Sequence, residues 1–284
     1  MPSGVYNGLD EGNLGINGGL GFCLFCVTIC SPLRISGQTQ RSGVSLADFS
    51  SSERAAYKDR LPVEADPSDP FLVLVNPSHA LAKGADFDLV DTPWGTKMNR
   101  EAYRALQSWL DQAKEARYRF EVISAYRSPD NQAVNRQLAY DRYISQGYTQ
   151  QQARAWVNFF YAPSQASEHS TGLAVDLLDQ EWLAQGGDLV PDYGNTLAGQ
   201  WLASHAAEFG FILRYPKDKI AITSYAYEPW HFRYVGKIHA EFMMREDLTL
   251  EEYRVLLEDR QAQVDLDRLE DNFTRQKEGL KNLH

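Results

Sequence analysis

"SEHSTGLAVDLLD", residues 167–179, sets a histidine and an aspartate seven positions apart on either side of a glycine. Its second half, "GLAVDLLD", alternates only weakly and is apolar on both sides, which predicts a short central strand covered on both faces. Such a strand carries Asp176 inward, leaves His169 in the loop that feeds it, and uses Gly172 for a close backbone approach. A buried carboxylate without a partner is costly, so Asp176 demands a cation, an arginine or a metal.

Upstream, "FEVISAYRS" (120–128) gathers β-branched residues and predicts a strand ending near Ser124. Before it, residues 99–119 place Tyr103, Leu106, Leu110 and Ala113 at three- and four-residue steps, an amphipathic helix with Asn99 as cap. After it, Ser128 as cap, Pro129 at the first position and Gly147 as stop delimit a second helix, so Arg127 falls in a strand-to-helix turn. A third helix is predicted from the Thr149 cap to Pro163. Folded structure is expected to begin at "FLVLVNPSHAL" (71–81), read as a buried strand stopped at Asn76-Pro77.

Downstream, "EPWHFRYVG" (228–236) puts Glu228 and His231 three apart with Pro229 between them. The proline excludes a helix interior and predicts a bent strand entrance, where both side chains can face one cavity. Two imidazoles and two carboxylates are the inventory of a catalytic zinc site: three protein ligands, an open position for water, and an acid to take the water's proton. Trp230, Phe232 and Tyr234 read as packing residues of the strand. His79, His205 and His239 lack paired acids at ligand spacing and read as surface or core residues.

The chain has 284 residues, 43% hydrophobic and 23% charged, with a formal net charge of −10. That balance argues against a sequence-independent nucleic-acid binder, which needs a basic surface to displace counterions from phosphates. Cys23, Cys26 and Cys30 all lie in "GGLGFCLFCVTIC", so the body relies on no disulfide. Three soft ligands without a fourth make a poor metal site there. Residues 1–35 read instead as an apolar leader, a signal or anchor segment whose residues 19–30 could associate with a membrane, although the usual positive stretch before it is missing. Residues 36–70, rich in Ser, Asp and Pro, read as a linker. Residues 71–247 form the expected catalytic domain, and 248–284 a helical extension opened by Thr249, with Tyr253, Leu257 and Val264 on one stripe; its far part could pack back or form a coiled coil, with a solvated tail as the default.

"SEHSTGLAVDL" and "EPWHFRYVG" together resemble the S-x-H-x-x-G-x-A-x-D and E-x-W-H-x-R-Y-V-G motifs of the zinc D-alanyl-D-alanine carboxypeptidase family. That family includes vancomycin-resistance-type D,D-carboxypeptidases and the related L,D-carboxypeptidases of bacterial peptidoglycan. "SAYRS" (124–128) and "LRYPKDK" (213–219) resemble further family segments, and the likeness covers about residues 71–253. It implies an α+β fold, a small and mainly antiparallel sheet carrying the zinc site and flanked by helices. It implies Zn²⁺ held by His169, Asp176 and His231, Glu228 as general base, and Arg127 polarising the scissile carbonyl or holding the substrate carboxylate. Ser167 and Gln132 are further substrate-binding candidates. The expected activity is removal of the C-terminal D-alanine from peptidoglycan stem peptides outside the bacterial cytoplasm, with no protein or nucleic-acid partner. The rival readings are an endopeptidase of the same machinery and a zinc-stabilised binding module, the latter disfavoured by the retained Glu228.

Overall fold

In the computed structural model, residues 44–281 are described, with side chains to residue 275. The expected leader, its cysteines and residues 19–30 lie outside the described residues. Among the described residues no helix is long and apolar enough to cross a membrane.

Helix α1 (Ser51–Arg60) precedes a two-stranded antiparallel hairpin of β1 (Leu89–Asp91) and β2 (Lys97–Asn99), which leads directly into α2 (Arg100–Glu115). Asn99 caps α2, its side chain accepting from the Glu101 and Ala102 amides. Strand β3 (Phe120–Ser124) then feeds α3 (Pro129–Ser145), with Ser128 as cap and Pro129 at the first position, and α4 (Gln150–Phe160) follows from its Thr149 capping box. Strand β4 (Ala174–Asp179), β5 (Phe211–Leu213) and β6 (His231–Tyr234) complete the main sheet. Its order is β3-β4-β6-β5 and every pairing is antiparallel. The fold is therefore α+β with small antiparallel sheets, and β4 is central as its two-sided apolar pattern predicts.

Strand alternation divides the sheet's work. Val175 and Leu177 of β4, with Phe232 of β6, face a core shared with Met98, Leu106 and Trp109. Asp176, His231 and Arg233 point to the other face, where the chemistry lies. A second apolar cluster joins Ile212 and Val235 to Phe242 of α8 (Lys237–Arg245) and to Leu250, Tyr253 and Leu257 of α9 (Leu250–Lys281). Short helices α5 (Gln180–Ala184), α6 (Leu197–His205) and α7 (Ile220–Thr223) lie between β4 and β6 in the chain.

Two expectations differ from what the structure shows. Residues 71–81 form no strand: Pro70–Leu72 is a 3-10 turn, and the Asn76–His79 bridge closes a local turn, because Leu72 and Val75 gain burial without a sheet neighbour. The described part of the expected linker is folded, with α1 and the buried Leu61 and Ala65 packed in the second cluster. Arg260 of α9 fixes this stretch by donating to the Pro62 carbonyl at 2.7 Å and to the Ala65 carbonyl. The first turns of α9 are likewise buried, while residues 261–275 of the same helix are almost all exposed. Polar composition reads as linker because the segment donates few residues of its own to a core built mostly by α8 and α9.

Candidate active site

The antiparallel register sets the site. Asp176 is paired across the sheet with His231 on one side and with Ser124 on the other. A shift of one residue in either strand would turn these side chains into the opposite core. His169 reaches the same point from the 3-10 turn Glu168–Thr171, which ends at Gly172 with φ 71°. A Cβ at Gly172 would lie 2.7 Å from the Asn99 amide nitrogen, and the Gly172 carbonyl accepts from that amide at 2.8 Å. The glycine between His169 and Asp176 is thus required by both its left-handed backbone and the pass of the hairpin.

His169, Asp176 and His231 are buried, and one ligand atom from each lies within 4.8 Å of the others. His169 Nδ1 is 2.6 Å from the Ala125 carbonyl, which can only accept, so the proton sits on Nδ1 and Nε2 is bare. That bare nitrogen faces Asp176 Oδ2 at 3.2 Å. Burial pushes the His169 imidazole down, against the pull of Asp176 beside it. His231 Nδ1 lies 3.0 Å from Asp176 Oδ1. Burial works against the Asp176 charge, yet the two histidines outweigh it and hold the carboxyl well below the usual range. Burial also opposes charge on His231, but its contacts with Asp176 and Glu168 raise it to about 9. A cation competes for the same position as that proton. Convergent nitrogen and carboxylate donors at a buried point fit Zn²⁺, whose preferred ligands these are.

Glu228 is buried beside them, its Oε2 3.9 Å from His231 Nδ1. Burial, with the like charges of Asp176 and Glu168, pushes its carboxyl up to about 8. Arg127 sits at the turn between β3 and α3, 4.0 Å from Asp176 Oδ2, held by donation to Gln132 Oε1 and Ser124 Oγ, each at 2.7 Å. Gln132 in turn donates to the Ala162 carbonyl at 2.8 Å, so it braces the arginine as well as lining the cleft. The structure brings Arg127, Gln132, Ser167, His169, Asp176, Glu228 and His231 to the wall of one cleft of about 500 Å³. His205 and His239 lie elsewhere, His239 buried with its Nδ1 2.8 Å from the Tyr253 hydroxyl.

Several contributors escaped sequence reasoning. Tyr215 stacks on the His231 ring with centroids 4.9 Å apart, and Tyr225 lines the same cleft. Glu168, Arg214 and Arg233 form a fully buried charged cluster behind His231. One signal was present: Arg233 interrupts an apolar strand on the same face as His231, where a charge needs a buried partner.

The sequence profile of the VanY family of D-alanyl-D-alanine carboxypeptidases matches residues 95–237. The chain is 38% identical over 178 residues to the YodJ protein of Bacillus subtilis (strain 168), covering 62% of this chain and 60% of that relative. It is 33% identical over 190 residues to a D-alanyl-D-alanine carboxypeptidase of Enterococcus faecalis, covering 67% of this chain and 68% of that one. Among solved structures it is similar to a mutant of the vancomycin-resistance D,D-pentapeptidase VanY from a VanB-type cassette in complex with Zn(II). The identity there is 32%, the TM-score 0.57, and the match covers 64% of this chain and 97% of that one. Matched over half its length, with the family's two motifs folded into one buried donor cluster, the chain belongs to the VanY family of D-alanyl-D-alanine carboxypeptidases.

Proposed function

We propose that this protein is a zinc carboxypeptidase that removes the C-terminal D-alanine from peptidoglycan stem peptides, acting outside the cytoplasm. The observation that carries the reading is the meeting of His169 Nε2, Asp176 and His231 Nδ1 with Glu228 at the base of a polar cleft.

Zinc held by His169, Asp176 and His231 supplies Lewis-acid activation of water and of the scissile carbonyl. Glu228 takes the attacking water's proton and returns it to the leaving amine. Its buried position keeps the proton in reach through both steps, and a cation beside it offsets the like charges that raise it. Arg127 aims its guanidinium into the cleft from a turn braced by Ser124 and Gln132. Its fork fits either the carboxylate of the terminal D-alanine or the oxyanion that develops at the scissile carbonyl. Ser167 and Gln132 wall the cleft beside it.

The test is release of D-alanine from soluble muropeptides ending in D-Ala-D-Ala and in a single D-Ala, by zinc-loaded protein beside a Glu228→Ala control. Release from either substrate that the control lacks supports the reading and assigns D,D or L,D preference. Stoichiometric zinc without release from either substrate would sink it.

A further inference from the structure

Behind the metal site lies a four-membered ionic cluster. Glu168 Oε1 accepts from Arg214 Nε at 2.7 Å and from Arg233 Nη1 at 2.8 Å. The other edge of Arg214 is taken by Glu251, with Nη1–Oε2 at 2.8 Å and Nη2–Oε1 at 2.6 Å. The side chains of Arg214, Arg233 and Glu168 are wholly buried and that of Glu251 nearly so. Two carboxylates and two guanidiniums make the cluster neutral. Glu168 Oε2 is left over and faces His231 Nε2 at 3.5 Å, and neither atom has another partner. That pairing is satisfied when Nε2 carries the proton, which leaves Nδ1 bare and turned toward Asp176.

Glu251 lies in the first turn of α9, beyond the stretch that matches the family profile. We propose that Glu251 is a positioning residue for the metal site, acting through Arg214 and Glu168 on His231. The proposal rests on the reading of His231 as a zinc ligand. Glu168 can keep Oε2 for His231 only while its attraction to Arg214 is shared. With Glu251 neutralised, two guanidiniums compete for one carboxylate, and Arg214 gains by a two-oxygen grip on Glu168 that draws Oε2 off the imidazole. The anchor of the metal ligand therefore includes a helix that the catalytic motifs do not reach. Arg233 does not draw Oε2 off His231 in the same way, because its Nη2 is already committed to the Phe71 and Val73 carbonyls.

The experiment measures zinc affinity of the full chain by competition with a chromophoric chelator, for wild type, Glu251→Gln and the paired variant Arg214→Met/Glu251→Leu. Loss of an outer-shell partner weakens metal binding by ~10–100-fold. Glu251→Gln is expected at the lower end, about tenfold weaker. The paired variant removes one charge of each sign and leaves Glu168 and Arg233 balanced, so it is expected within about threefold of wild type. A helix that merely supports the fold would weaken both together. Glu251→Gln within threefold of wild type, or a paired variant tenfold or more weaker than wild type, overturns the proposal. Should Glu251→Gln fail to fold, the paired variant decides by the same threshold. An independent signature is the ¹⁵N spectrum of the zinc-loaded wild type: a His231 proton on Nε2 supports the relay, and a proton on Nδ1 overturns it. A folded wild type that binds no zinc defeats the metal reading itself, a result distinct from an unchanged Glu251 variant.

Discussion

Glu228→Gln separates stability from turnover. Burial pushes the Glu228 carboxyl up to about 8 from an ordinary 4.5. At pH 7.5 holding that group in the fold, rather than ionised in the unfolded chain, costs roughly 3–4 kcal/mol, at about 1.36 kcal/mol per pH unit. Glutamine keeps the volume and removes the charge, but its amide brings N–H donors that need partners, and one left unmet costs about 1–3 kcal/mol. The net expectation for zinc-stripped protein is a gain of about 1–2 kcal/mol, or roughly 2–8 °C in Tm for a domain of this size. Turnover should move the other way, falling by ~10²–10⁴-fold with loss of a general base. Thermal unfolding in the presence of a chelator at pH 7.5, with D-alanine release assayed on the zinc-loaded form, reads both. A lower Tm, or turnover within tenfold of wild type, would refute the assignment of Glu228 as a destabilised catalytic acid–base group.

Zinc-stripped protein should lose stability as pH rises from 6 to 9. Glu228 and His231 both have raised folded values, about 8 and about 9, so their contribution is complete below their ordinary values and lost as pH climbs through the raised ones. Glu168 and Asp176 are held low and act oppositely, giving way only in acid, and a urea midpoint that is flat or rising across pH 6–9 would contradict this. Arg127→Ala should lower kcat/KM by ~10²–10³-fold with zinc content unchanged, and Arg127→Lys should recover little of it, because a lysine cannot fork between Ser124, Gln132 and substrate. Gly172→Ala forces a side chain into a left-handed residue 2.7 Å from a backbone nitrogen. A loss of about 2 kcal/mol or more in denaturant unfolding is expected, together with weaker zinc binding, and near-wild-type values for both would show that the hairpin can yield.

The residues that meet at the site were legible because their chemistry is local and unusual. An aspartate within an apolar strand, a histidine before a glycine, and a Glu-Pro-Trp-His run at a strand entrance each violate the pattern around them. The caps at Asn99, Ser128 and Thr149 were legible for the same reason, since each is satisfied within one helical turn. Residues 71–81 misled because a short apolar run looks alike whether it enters a sheet or only fills a core.

The candidate donors, the strand that carries Asp176 and the helices around it were legible in the chain, because each stands out against neighbours a few positions away. Only the tertiary structure decided the register that pairs Asp176 with His231, the folding of residues 44–70 onto α9, and the link from Glu251 to His231. Those contacts join positions up to 198 residues apart, as in the hydrogen bond from Arg260 to Pro62. They depend on which buried charge finds which partner, and that is a property of the assembled core that no local pattern encodes.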